Sequence, residues 1–108
     1  MNTKKLIKLR PKLGKVIIPF SVAEKINLKV DDYVTFYLSK KNHCVFLAKE
    51  DNSEGNNKLS INIENVDYCI KDNSLVDYIT NLFETKDENF VYLKPKGVDE
   101  KGRLRLTL

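Results

Sequence analysis

The sequence has little of several things that define common protein classes. It contains two cysteines, one histidine, four glycines and three prolines in 108 residues. No apolar run approaches the roughly 18 residues of a membrane span. The basic N-terminus alternates charged and apolar residues, which is not the pattern of a signal peptide. We therefore expect a cytoplasmic protein that does not enter a membrane.

The cysteines and the histidine do not form a metal-binding motif. Cys44 and Cys69 lie far apart, and His43 adjoins only Cys44. The spacing leaves a disulfide open but favours two buried free thiols, since free cysteine behaves as a small hydrophobic residue. Asp31-Asp32 is interpreted as a turn, because no third oxygen ligand follows at a suitable spacing. The sequence predicts no metal, no cofactor and no enzyme, since it also lacks nucleophile, phosphate-loop and paired-carboxylate motifs.

Charge is unevenly distributed along the chain. Residues 1–50 hold eleven Lys or Arg against four acids, a net +7, whereas residues 51–108 carry −3. Between them, residues 50–58 contain no apolar side chain and many turn formers. The sequence thus predicts a basic domain over residues 1–50, a linker over 51–58 and an acidic module over 59–108.

The predicted fold is mainly β with short helices (α+β). In the first half, Leu6 to Leu9 and Val16 to Ile18 favour strands, and Ser21 and Glu24 have the spacing of a capping box for a short helix closed by Asn27. A hairpin follows, formed by Tyr33 to Leu38 and Cys44 to Ala48. The second half is predicted as β-α-β-β: strands at 59–63, 90–93 and 104–108, and a helix, capped at Asn73-Ser74, that carries one apolar stripe. The members of this stripe are Leu75, Ile79, Leu82 and Phe83.

Residues 8–19, KLRPKLGKVIIP, resemble the opening of the AbrB/SpoVT/MazE family of DNA-binding proteins, and the order of elements is similar over about residues 7–50. The resemblance implies a swapped-hairpin β-barrel that forms only as a homodimer, and such dimers could pair into tetramers. It also implies a set of large apolar residues in the dimer core. That set is Ile17, Phe20, Phe36, Leu38, Val45 and Leu47.

In the family, basic side chains on the first strand and its turn contact double-stranded DNA. The resemblance and the charge pattern assign the DNA contacts here to Lys4, Lys5, Lys8, Arg10, Lys12 and Lys15. Lysines predominate, which favours phosphate contacts over base readout. The chain departs from the family on the helix, where Ala23 and Glu24 replace common arginines.

Three functions stay open from the sequence. The first is a transcriptional regulator, in which residues 59–108 oligomerise the protein or sense a signal. The second is an antitoxin, in which those residues bind a partner protein. The third is an inhibitor or interaction protein that has largely lost DNA binding.

Overall fold

The computed structural model describes residues 5–50, 57–58, 60–62 (backbone only) and 67–108. Within these ranges the chain is mostly β, with nine strands in one antiparallel sheet, of which eight form a nearly closed, barrel-like arrangement, and two short helices. This confirms the mainly-β prediction. The strands are β1 Ile7–Arg10, β2 Lys15–Ile18, β3 Tyr33–Ser39, β4 Cys44–Glu50, β5 Asn57–Lys58, β6 Ser60–Asn62, β7 Asp67–Lys71, β8 Val91–Val98 and β9 Leu104–Thr107. The helices are α1 Phe20–Ala23 and α2 Asn73–Phe83.

The first hairpin is closed by a tight turn. Pro11 opens a single 3-10 turn, Pro11–Leu13, and Gly14 ends it in the left-handed conformation with φ +62°. The Gly14 N–H donates to the Pro11 carbonyl. This turn brings β1 and β2 into register, so that Lys8 lies opposite Ile17 and Arg10 opposite Lys15.

Helix α1 begins earlier than predicted. Pro19, with φ −60° and ψ 147°, is the N-cap, and its carbonyl accepts the N–H groups of Val22 and Ala23, both at 3.0 Å. The predicted capping box is wrong, because Ser21 lies inside the helix. A 3-10 turn, Glu24–Ile26, extends α1, and Asn27 closes it at φ +53°, in the predicted left-handed conformation.

Helix α2 carries the predicted apolar stripe, but its cap is one residue earlier than expected. The Asp72 carboxylate accepts the Leu75 N–H at 3.0 Å and so satisfies a free donor of the first turn. Ile79 and Phe83 are buried, while Leu75 and Leu82 are partly buried against the same core.

The sheet interleaves strands from both halves of the chain. Its order is β5-β3-β4-β9-β8-β1-β2-β7-β6, so β8 and β9 lie between the two N-terminal hairpins. Strand β8 pairs with β1 through Val91–Leu93 and with β9 beyond Leu93, with a bulge between Pro95 and Gly97. Residues 51–56 of the predicted linker lie outside the described residues, and Asn57–Lys58 forms β5 against β3. Residues 7–50 and 67–107 therefore share one sheet.

The core explains how the large apolar residues of the first half are covered. Val45 and Leu47 are fully buried, and Ile17 and Phe36 are 8% exposed. Their cover comes from the same chain: Phe36, Val45 and Leu47 belong to one core cluster with Leu104 and Leu106 of β9, and Ile17 lies opposite Cys69 of β7. Of the remaining predicted core residues, Phe20 is half-buried and Leu38 is 37% exposed. Burial of Ile17, Phe36, Val45 and Leu47 thus needs no second chain, and the homodimer stays a prediction.

Neither cysteine forms a disulfide among the described residues, and Cys44 is buried while Cys69 is half-buried. The prediction of two buried thiols is therefore confirmed for Cys44 only. In the described part of the chain, none of the helices has the length and apolar character needed to cross a bilayer.

Candidate nucleic-acid interface

Three cations from three neighbouring strands form one row on the outer face of the sheet. Strand register places Arg10 opposite Lys15 and Lys15 opposite Lys71. Successive side chains of a strand point to opposite faces. The adjacent row, Leu9, Val16 and Ile70, is buried in the core, so the cations face outward. We call Arg10, Lys15 and Lys71 the cation row.

No protein carboxylate neutralises the cation row within the described residues. The ion pairs found there are Lys49–Asp32, Lys58–Asp31 and Arg103–Asp99, and all lie elsewhere. Asp72 follows Lys71 directly, but its Oδ1 accepts the Leu75 N–H at the start of α2. Like charges directly opposite each other on antiparallel strands are destabilising. The row therefore costs stability and leaves three positive charges available to an anion.

An aromatic ring lies at one end of the cation row. The Lys8 Nζ is 4.4 Å from the centroid of the Phe90 ring, and the Arg10 Cζ is 5.4 Å from it. Phe90 is nevertheless 45% exposed. On the same face, Tyr92 lies opposite Lys8. The cations of β1 are thus held beside an accessible aromatic surface.

The other predicted DNA-contact residues differ in how close they lie to this face. Lys12 is exposed in the turn between β1 and β2, and Lys5 is exposed just before β1. Lys4 lies outside the described residues. On α1, Ala23 is buried and Glu24 is exposed, so the short helix places no cation at either position. The structure therefore brings Lys8, Arg10 and Lys15 together on the outer face of β1 and β2.

Sequence reasoning missed two members of this surface. Lys71 belongs to β7, a strand that the sequence did not predict, although Tyr68, Cys69 and Ile70 form a short run of strand formers. Phe90 was assigned to the start of a strand and not to a site. Only the pairing of β7 with β2 and of β8 with β1 places these residues beside Arg10 and Lys15.

A different set of side chains occupies the outer face of β3, β4 and β9. The Arg103 guanidinium lies 4.5 Å from the Phe46 ring centroid and donates from Nε to Asp99 Oδ2 at 2.8 Å. The Tyr37 hydroxyl donates to Glu50 at 2.7 Å, which raises the pKa of Tyr37. These arginine and tyrosine groups already have partners within the chain, which favours a structural role for them.

The described residues contain no cluster of three His, Cys, Asp or Glu side chains that could hold a metal ion. Asp31 and Asp32 lie at the turn before β3 and form ion pairs with Lys58 and Lys49. His43 adopts a left-handed backbone conformation (φ +52°) in the β3–β4 turn, and its ring packs edge-on against Phe83.

Two open clefts are lined by residues that the structure describes. One of about 580 Å³ lies between the β3–β4 turn and α2. The other, of about 300 Å³, lies beside Phe90, whose ring also contacts the cations Lys8 and Arg10 of β1. Its lining residues are Leu6, Thr85, Glu88, Phe90, Val91, Tyr92, Lys94 and Leu108.

Comparisons of the chain with protein-family models, curated proteins and solved structures find no match. The resemblance of residues 7–50 to the AbrB/SpoVT/MazE family therefore stays a prediction.

Proposed function

We propose that this chain is a DNA-binding protein of the regulatory type, which holds backbone phosphates on the outer face of β1, β2 and β7. The observation that carries the proposal is the cation row, three charges in direct cross-strand register without a carboxylate partner in the described residues. Such a row opposes folding of the free protein. An anionic ligand removes that repulsion, so ligand binding explains why the row exists.

The dimensions of the row suit a charged backbone. Neighbouring strands lie about 4.8 Å apart, so the cation row spans about 10 Å across three strands. Lys8 and Lys12 continue the positive surface along β1 and its turn. Cations that neutralise phosphates release condensed counterions, which supplies a large part of DNA affinity. Two of the three row members are lysines, which act as point charges and read base edges poorly. We therefore expect affinity that depends weakly on base sequence.

The test is the salt dependence of DNA binding, measured by fluorescence anisotropy with a short labelled duplex and a single strand. The double variant Lys15→Gln/Lys71→Gln removes two cations that neutralise phosphates. For each phosphate that is no longer neutralised, the slope of log affinity against log salt should become shallower by about 0.9 on a duplex and by about 0.7 on a single strand.

The matched control is Lys96→Gln/Lys101→Gln, which removes the same charge from exposed positions on β8 and the β8–β9 turn. It should leave the slope nearly unchanged. The proposal is wrong if the wild-type protein binds neither form of DNA at low salt. It is also wrong if both double variants lower the slope equally, because net charge alone would then account for binding.

A further inference from the structure

The cleft beside Phe90 adjoins the cation row but has a different chemistry. Val91 pairs with Leu9, and so Phe90, one residue earlier, lies next to Arg10 at the end of the row. The cleft has a volume of about 300 Å³ and is bounded by Phe90 and Tyr92 together with the apolar Leu6 and Leu108. A ligand that lies along the row therefore reaches an aromatic and apolar recess at its end.

Polar groups in the cleft favour a base over a phosphate. Glu88 lines it, and its negative charge offsets the positive charge of Lys94, so the cleft offers a phosphate no net attraction, while the Glu88 carboxylate can accept a hydrogen bond from an amino group of a base. Lys94 also lines the cleft and can donate to a ring nitrogen or carbonyl. The Thr85 hydroxyl is buried there and has no hydrogen-bond partner in the described part of the chain. Aromatic, donor and acceptor groups together match a nucleobase.

We infer that this cleft takes one unpaired nucleobase of a DNA strand whose phosphates lie on the cation row. The inference rests on the proposed function and specifies which form of DNA the site prefers. Bases stack on aromatic side chains in single-strand binding proteins because each base has an accessible π-face. In a duplex both faces of a base are covered by its neighbours. A duplex would then reach the cation row alone, whereas a single strand would also fill the cleft.

The experiment compares a labelled thymidine single strand, the same strand with abasic sites throughout, and a duplex of equal length, all in low salt. Wild-type protein should bind the thymidine strand at least about fivefold more tightly than the abasic strand, given the usual contribution of one stacked base. Phe90→Leu should lose this preference. Its duplex affinity should change much less, because the cation row is intact.

Tyr78→Leu is the matched control, since Tyr78 is an aromatic residue that is 65% exposed on α2, away from the row. It should retain the preference for the thymidine strand. Equal wild-type affinity for thymidine and abasic strands would overturn the inference, and that comparison needs no variant to fold. An equal loss of strand and duplex binding in Phe90→Leu would also overturn it. Failure of the proposed function is distinct: Lys15→Gln/Lys71→Gln would then bind every probe as the wild type does.

Discussion

Replacement of Gly14 by alanine tests how the turn between β1 and β2 is packed against α2. A Cβ atom at Gly14 would overlap the Asn73 Oδ1 and lie 2.7 Å from its Cγ and 3.2 Å from its Cα. The side-chain atoms of Asn73 can rotate away, but the Cα can move only with the helix. The Gly14 carbonyl also accepts the Asp72 N–H at 2.9 Å, so a shift of the turn strains the start of α2.

Two terms add in the Gly14→Ala variant. A non-glycine residue in the left-handed conformation costs about 1–2 kcal/mol. Forcing a methyl group into a filled site costs about 1–3 kcal/mol more. The expected loss is therefore about 2–5 kcal/mol, a large share of the 5–15 kcal/mol of a typical domain. At about 4–8 °C per kcal/mol, Tm should fall by at least about 8 °C.

Gly102→Ala is the control, since Gly102 has φ +76° and its Cβ would meet nothing within 4 Å among the described atoms. It should show the conformational cost alone. Urea unfolding followed by circular dichroism measures both variants, and Gly14→Ala/Asn73→Ala should recover part of the steric cost. The packing argument is refuted if Gly14→Ala is no more destabilising than Gly102→Ala.

Three further predictions concern charge and capping. Lys15→Gln should stabilise the DNA-free protein by up to about 1 kcal/mol in low salt while it weakens DNA binding, because it relieves like-charge repulsion on both sides; a loss of stability in urea unfolding would contradict this. The pKa of Asp99 is lowered chiefly by the Arg103 N–H, then by the Arg103 side chain and the Lys101 N–H. The stabilisation of the folded state by the ionised Asp99 carboxylate is thus complete above the ordinary pKa of 3.8 and is lost as pH falls through the folded-state pKa. The Tm difference between wild type and Asp99→Asn should therefore shrink in strong acid, and a constant difference would be evidence against it. Asp72→Ala should lower the free energy of unfolding by about 0.5–2 kcal/mol through loss of the α2 cap, whereas Asp72→Ser should lower it less.

Local features of the fold could be predicted because they depend on neighbours in the sequence. Alternation along Tyr33–Leu38 predicted β3, and the turn after it predicted β4 as the return strand. Apolar residues at i, i+4, i+7 and i+8 predicted α2, and Asn27 was expected to close α1. The start of α1 was predicted wrongly because the Pro19 carbonyl accepts the first hydrogen bonds of the helix. Pro19, with its fixed φ, is therefore the N-cap, and Ser21 lies within the helix.

The sequence could predict only the part of the candidate site that lies within a single hairpin. Arg10 and Lys15 are five residues apart, and a turn at Gly14 places them opposite each other. Lys71 is more than fifty residues away from Lys15. Its position depends on the pairing of β2 with β7. Alternation of apolar and polar residues predicts a strand but does not say which distant strand it pairs with.

The position of the cation row ties the proposed DNA binding to the completeness of the sheet. Strand β2 lies between β1 and β7, and β1 in turn pairs with β8, which carries Tyr92 and follows Phe90. The row and its aromatic end therefore exist only when strands from both halves of the chain have paired. An anion that bound Arg10, Lys15 and Lys71 together would stabilise the paired state over any opened one by RT ln(1 + L/Kd), where L is the anion concentration. Although the row weakens the free protein, an anion bound to it would stabilise the junction of β2 and β7 at which the repulsion arises.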